Sequence, residues 1–233
     1  MLGSWLSQHG YYLFLSIGAV SMLCLMLVRR SRFNMSWLSA TLFTVILLAC
    51  GISGAKLLFF IESGFTSFSG MSFFGAVFMV GLVMPLIGLL FRLHPSQSLD
   101  ACAPCVASIL GFTRFGCYSV GCCGGLVCTL KSTTFIWPTQ LIEGFGDMAI
   151  LALLLYLERD KGHQGSGYPV WLTAYGVLRF FVEFLRDTPK LFFGMSEGQW
   201  LALLSLAIGS IILFIYRKTF GLIRQKEASF ETI

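Results

Sequence analysis

The chain has little charge and almost no histidine. Of its 233 residues only 12% are Asp, Glu, Lys or Arg, and three are His. A soluble domain carries about 25% charged residues. The polar material is too scarce to cover a water-exposed surface of this size, which excludes an ordinary soluble fold. The net charge of +5 comes without a basic run interleaved with aromatics, so no nucleic-acid partner is expected. No basic residue precedes the first apolar run and no small-residue cleavage site follows it. The first segment is therefore expected to be retained rather than removed as a signal. Internal repeats, low-complexity stretches and a domain boundary are also missing, so residues 1–233 read as a single transmembrane domain.

What is present is apolar. Hydrophobic residues make up 56% of the chain, with 23 Phe. Seven apolar segments cover 11–28, 37–61, 72–91, 99–113, 138–157, 168–185 and 199–216. About 20 residues span a bilayer core. The expectation is an all-α polytopic membrane protein with about seven transmembrane helices. The fourth segment is short and holds Pro104, so it is expected to be tilted, broken or buried in the bundle.

Charge sets the expected orientation. If all seven segments cross, one side receives Arg29, Arg30, Arg32, Arg92, Arg159, Lys161, Arg217, Lys218, Arg224 and Lys226, which is 10 of the 16 Lys and Arg. The N-terminus and the second loop hold none. Basic loops stay cytoplasmic. The N-terminus is therefore expected in the periplasm and the basic tail 217–233 in the cytoplasm. A long loop, 114–137, and a shorter one, 186–198, fall on the periplasmic side. Long loops in a compact bundle are often functional.

Several polar residues sit where lipid should exclude them. Tyr175, Arg179, Glu183 and Arg186 are spaced four, four and three apart within the sixth segment. At about 100° per residue they share one narrow arc. A charge at the bilayer centre costs about 2.5–3.5 kcal/mol on insertion scales. Two readings account for retaining Arg179 and Glu183: a structural ion pair to a neighbouring helix, or an anion-binding face inside the bundle. Gln140, Glu143 and Asp147 repeat the pattern in the fifth segment, and pairing with Arg114, Arg179 or Arg186 is expected. Arg186 is close enough to the helix end to snorkel, and so is Lys56 in the second segment.

The loop expected from Arg114 onward is rich in Gly and Cys, with Gly116, Cys117, Gly121, Cys122, Cys123, Gly124 and Gly125. Glycine lets backbone approach a ligand, backbone amides cradle phosphate oxygens, and an Arg fork suits phosphate. Of eight Cys, Cys24 and Cys50 lie in apolar runs and are expected to be core thiols. The other six fall between Cys102 and Cys128. Zinc sites usually show two spaced pairs, which the vicinal Cys122 and Cys123 fit poorly. Packing or a disulfide is the favoured reading, with thiol redox as another, and no metal or cofactor is expected.

Taken together, these residues resemble the prolipoprotein diacylglyceryl transferase family. Gly54-Ala55-Lys56-Leu57 is similar to its Gly-Ala-Arg-Leu, and Gly70-Met71-Ser72-Phe73-Phe74-Gly75-Ala76 to its Gly-Met-Ser-Phe-His-Gly-Gly. Arg114-Phe115-Gly116-Cys117 through Gly125 lies on the signature Arg-x-Gly-Asn-Phe, which ends in Gly. Pro138-Thr139-Gln140-Leu141-Ile142-Glu143 resembles His-Pro-Ser-Gln-Leu-Tyr-Glu. The stretch from Tyr175 to Arg186 is the nearest match, and Gly198-Gln199-Trp200-Leu201 fits the start of the last helix. Tyr11 matches an N-terminal family Tyr.

The resemblance implies a seven-helix enzyme of the bacterial inner membrane. Such an enzyme moves a diacylglyceryl group from phosphatidylglycerol to the lipobox Cys of a prolipoprotein, on the periplasmic side. It implies that Arg114 and Arg179 hold the phosphate and stabilise the departing glycerol phosphate, with Glu183, Glu143 and Gln140 orienting them. Tyr11, Lys56, Gly116, Gly125, Tyr175 and Arg186 complete the expected substrate-binding set.

The chain departs from the pattern at the family's His, which is Phe74, at the second Gly (Ala76), at the His before the Pro (Trp137) and at the signature Asn (Cys117). His94 and His163 are expected to be cytoplasmic, and His9 lies near the N-terminus. Two alternatives stand beside the transferase: a phospholipid-headgroup enzyme with another acceptor, and a non-enzymatic lipid-binding or thiol-redox membrane protein.

Overall fold

The computed structural model describes residues 2–67, 70–130, 133–159 and 165–230, with the side chains of 2–8, 130, 133 and 219–230 left undescribed. Lys161 and His163 lie outside the described residues, as do the side chains of Arg224 and Lys226. Seven helices occur among the described residues: α1 Leu2–Arg29, α2 Trp37–Glu62, α3 Phe73–Leu90, α4 Pro95–Val120, α5 Thr139–Leu157, α6 Gly167–Val182 and α7 Glu197–Phe230. Between α4 and α5 lies an antiparallel hairpin of β1 Val127–Leu130 and β2 Thr133–Ile136, an addition to the expected all-α fold. Five helical stretches are long and apolar enough to cross a membrane: His9–Phe33, Trp37–Glu62, Phe73–Leu90, Thr139–Leu157 and Glu197–Lys218. The chain is thus a polytopic helical membrane protein. Helix α7 carries helical geometry well into the expected tail, to Phe230.

Of the alternatives expected for the fourth segment, helix α4 is the one buried in the bundle, and it is neither short nor broken. It runs without interruption through Pro104 from Pro95 to Val120. Its face toward the bundle is built of small residues, with Ala101, Ala103, Ala107, Ser108 and Gly111 all buried. Small residues let membrane helices approach closely. They also lower hydropathy, so a central helix reads as a poor membrane span. Gln97 accepts the backbone N–H of His94 at 3.1 Å and Pro95 occupies the first helical position, a well-formed N-terminus. Gly121, at φ +71°, ends the helix in the left-handed conformation that glycine adopts without strain. Residues 114–120, expected in a loop, are therefore the last turns of α4.

A buried ionic knot ties one end of the bundle. Arg29, at the end of α1, donates to Glu158 beyond α5 at 2.9 Å and to the Asp100 and Ala101 carbonyls of α4 at 2.9 and 3.1 Å. The Asp100 carboxylate accepts the Gly167 N–H of α6 at 2.7 Å. Arg29, expected as a loop charge, is buried and joins the ends of α1, α4 and α5, while Asp100 carries the knot on to α6. The cysteines also divide differently from expectation. Cys24 is exposed and Cys50 half-buried, so neither is a core thiol, whereas Cys102 and Cys105 are buried in α4.

Helices α2 and α3 touch backbone to backbone. A Cβ built on Gly54 would lie 2.3 Å from the Gly75 carbonyl oxygen, and one on Gly75 would lie 2.2 Å from that of Gly54. Gly51, one turn earlier, would meet only the Ala76 Cβ at 4.0 Å. Gly75→Val should force the helices apart and destabilise the protein by at least about 1–3 kcal/mol, the usual cost of overpacking. Gly51→Ala should be tolerated. Thermal unfolding in detergent reads the difference, and equal melting temperatures would contradict this packing.

Candidate functional site

The polar faces of α4, α5 and α6 meet at the end of the bundle opposite Arg29. Glu143 of α5 is the centre. Its Oε2 lies 2.7 Å from Arg114 Nε of α4, and its Oε1 pairs with Arg179 Nη1 of α6. Arg179 Nη2 reaches Glu183 Oε2 at 2.8 Å, one turn along. Glu143 and Glu183 are almost fully buried, and both arginines nearly so. A charge pair in such surroundings is held only where each member is compensated.

Glu183 is itself gripped from the loop ahead of α7. Helix α6 tightens into a 3-10 turn at Glu183–Leu185, and Glu183 Oε1 accepts hydroxyls from Thr188 at 2.9 Å and Ser196 at 3.0 Å. Ser196 also accepts the Gln199 N–H at 3.2 Å, while Gln199 Oε1 accepts the Ser196 N–H at 2.9 Å. This is a capping box that starts α7. A Cβ on Gly198 would fall 2.9 Å from the Glu183 carboxyl carbon, so glycine there leaves room for the carboxylate.

A cavity of about 410 Å³ opens against this cluster, lined among others by Arg114, Cys123, Arg179, Glu183, Arg186 and Phe74. Glu62 and Ser72 also line it, with the Ser72 hydroxyl donating to Glu62 at 2.7 Å. Arg186 is held loosely, 3.9 Å from Glu183 and 4.0 Å from Glu143. Its Nε is buried with no hydrogen-bond partner among the described residues. A buried charged donor left unpaired is costly, and an anion in the cavity would satisfy it. A second groove, also about 410 Å³, runs between α5 and α6 and is lined by apolar residues including Ile142, Gly146, Ala174, Val177, Leu178 and Phe181.

The expected site residues thus divide. Arg114, Arg179, Glu183 and Arg186 line the cavity, and Glu143 lies behind them. Tyr175 is buried one turn deeper, its ring centroid 4.7 Å from that of Phe73. Gln140 orients no arginine; its Nε2 donates to the Cys122 carbonyl at 2.6 Å and fixes the loop. Asp147 is wholly buried, and its carboxyl has no hydrogen-bond partner among the described residues, contrary to the expected pairing with arginine.

Two glycines expected to bind substrate pack against protein instead. A Cβ on Gly116 would meet Tyr11 Cα at 3.2 Å, where α1 crosses α4. A Cβ on Gly125 would meet the Leu185 carbonyl oxygen at 2.4 Å, where the loop bridges to Arg186. Glycine is needed there for close backbone approach between elements. Tyr11 and Lys56 are not among the residues lining the cavity.

Glu62, Ser72, Thr188 and Ser196 were not singled out from the sequence. Ser196 carried a usable signal, since Ser three residues before Gln marks a helix start. The others carried none, because ordinary polar residues near helix ends are common.

Beyond α4 the chain folds its thiols together. The Sγ atoms of Cys117, Cys122 and Cys123 all lie within 4.8 Å of one another. Hydrogen bonding from Cys117 holds the Cys123 thiol below the usual thiol range; burial opposes this, and the Arg114 and Arg186 guanidiniums reinforce it.

Fold and site together define a membrane protein that gathers guanidinium groups at one end of a helical bundle. A family model described as prolipoprotein diacylglyceryl transferase matches residues 4–216, and the chain belongs to that family. It is 28% identical over 246 residues to phosphatidylglycerol–prolipoprotein diacylglyceryl transferase 2 of Clostridium perfringens, covering 95% of this chain and 94% of the relative. An Idiomarina loihiensis protein named as the same transferase is 30% identical over 69% of the chain and 64% of its own length. One from Dehalococcoides mccartyi is 23% identical over 89% and 88%.

Glu143→Ala would leave Arg114 and Arg179 buried without their shared carboxylate. Removing one partner of a buried ion pair costs about 3–5 kcal/mol. Chemical denaturation in detergent should show a loss of that order, and a loss under about 1 kcal/mol, the size of an exposed pair, would contradict the arrangement.

Proposed function

We propose that this protein transfers a diacylglyceryl group from phosphatidylglycerol to the cysteine thiol of a prolipoprotein, in the manner its relatives' names describe. The observation that carries the reading is the gathering of Arg114, Arg179 and Arg186 at one cavity, with the Arg186 Nε buried and without a hydrogen-bond partner among the described residues. Three guanidinium groups suit a phosphate diester, because their planar donor forks match its oxygens. Glu143 and Glu183 hold two of the forks in place before substrate arrives, which is the preorganisation electrostatic catalysis needs.

In the reaction, the acceptor sulfur attacks the diacylglyceryl carbon bearing the phosphate. A C–S bond forms, the C–O bond to phosphate breaks, and glycerol phosphate leaves with the electron pair. Charge grows on the departing phosphate, where the arginines are aimed. The apolar groove between α5 and α6 suits an acyl chain of the lipid. All seven helices cross the bilayer in this reading. The site faces the periplasm, the C-terminus lies in the cytoplasm, and the membrane is the bacterial inner membrane, in keeping with the distribution of Lys and Arg.

A second reading, a headgroup enzyme with another acceptor, is favoured by Phe74. It stands at the family's His position and packs against Phe78 and Tyr175, so no imidazole is available there to take the thiol proton.

Purified protein with labelled phosphatidylglycerol and a lipobox peptide should release glycerol phosphate and alkylate the peptide. Arg179→Ala should lower turnover at least about 100-fold, the usual loss for one donor to developing charge. Arg179→Lys should recover little, since the fork is lost. Release of glycerol phosphate without peptide alkylation would select the second reading. Equal rates for Arg179→Ala and wild type would remove both.

A further inference from the structure

The proposed reaction needs a thiolate, and the site holds no histidine to make one. At its wall, Cys123 belongs to a cluster of three thiols instead. Cys117 lies in the last turn of α4, and Cys122 and Cys123 follow it around the Gly121 turn. Their sulfurs fall within 4.8 Å of one another, while Cys128, on β1, is not in the group.

The loop that gathers them is braced at both vicinal residues. The Gln140 amide donates to the Cys122 carbonyl at 2.6 Å and the Thr139 hydroxyl to that of Cys123 at 3.2 Å. Cys123 adopts φ +60°, a left-handed conformation that costs a residue bearing a Cβ about 1–2 kcal/mol. Gly124 and Gly125, which tolerate that conformation, come directly after it. The strained position is nevertheless given to a cysteine, and its side chain lines the arginine cavity. Strain retained at a cavity wall points to a working side chain.

A disulfide accounts for this cluster poorly. Adjacent Cα atoms across a trans peptide are about 3.8 Å apart, shorter than the usual span of about 4.4–6.8 Å for a disulfide. Cys122 and Cys123 therefore do not join readily. Cys117 pairing with either one strands the third. A tetrahedral metal uses all three. Thiolates bonded at about 2.3 Å to such a centre stand about 3.8 Å apart, and these three sulfurs all lie within 4.8 Å of one another. Soft thiolates select zinc or Cu(I) among the common metals.

We propose that Cys117, Cys122 and Cys123 form a trithiolate site for a thiophilic cation of the zinc type. Its fourth position, at the cavity wall beside Cys123, binds the incoming acceptor thiol. The second half rests on the transferase reading. Three protein ligands and one open position are the arrangement of catalytic rather than structural zinc. A coordinated thiol is deprotonated at neutral pH. Its proton passes to water, the metal-bound sulfur then attacks the glyceryl carbon, and the metal undergoes no change of oxidation state. The cation takes over thiol activation, while the arginines keep the phosphate.

Untagged protein, purified in detergent under reducing conditions without chelator, should carry about one zinc per chain by elemental analysis. After chelation and titration with Co²⁺ it should develop sulfur-to-cobalt charge-transfer absorption and tetrahedral visible bands. Cys117→Ser, Cys122→Ser and Cys123→Ser should each weaken the sulfur band, and Cys128→Ser should leave it unchanged. X-ray absorption on the wild-type cobalt protein should count three sulfurs, whether or not the variants fold. A lipobox peptide should shift the cobalt spectrum and its Cys→Ser version should not. Metal-free folded protein without a cobalt band, or a disulfide among the three cysteines, would overturn the site. An unshifted spectrum with peptide would overturn its role toward the acceptor. Arg179→Ala should keep the cobalt band while losing lipid turnover, which separates failure of this inference from failure of the transferase reading.

Discussion

Glu143 joins three helices that would otherwise have no reason to bring charge together inside a bilayer. One carboxylate binds Arg114 of α4 through one oxygen and Arg179 of α6 through the other. In a medium of low polarity no member of such a set tolerates losing its partner. The crossing of α4, α5 and α6 at this end is therefore constrained by charge as well as packing. Glu183 extends the set toward α7, and the capping box at Ser196 and Gln199 delivers the hydroxyl that holds it. The start of α7 and the geometry of the arginines are one construction.

The same helices are tied at their other ends by Arg29, Asp100 and Glu158. Between the two ionic clusters α4 runs straight through a proline, carrying small residues on its packed face. Two satisfied polar clusters at opposite ends of a small-residue seam give a rigid frame. The arginines are held in place on their carboxylates, and the Nε of Arg186, beyond the frame, has no hydrogen-bond partner among the described residues.

Chemically, the site separates two tasks. In the proposed reaction, holding and releasing phosphate is the part assigned to the arginines, which Glu143 and Glu183 support. In the proposed reaction a thiol must also be activated; where the family pattern has histidines this chain has Phe74 and Trp137, and three cysteines are gathered nearby. Of these residues, Phe74 and Cys123 line the arginine cavity. A change of activating group, with the phosphate cradle preserved, links them.

Much of this was legible in the sequence. Scarce charge and long apolar runs determine a helical membrane protein, because no other fold buries so little polar surface in lipid. The three- and four-residue spacings of Gln140, Glu143, Asp147, Arg179, Glu183 and Arg186 place them on single helix faces, because helical periodicity is local. The family signature was readable for the same reason. Tertiary structure decided what each face meets. Glu143 pairs with two arginines, while the Asp147 carboxyl, one turn away, has no hydrogen-bond partner among the described residues. Gly116 and Gly125 stand where two backbone elements approach closely. Residues 114–120 continue α4 because Arg114 is compensated within the bundle. Cys117, Cys122 and Cys123 become one cluster while Cys102, Cys105 and Cys128 stay apart. These outcomes depend on contacts between segments distant in the chain, and periodicity within a segment carries no information about its partner.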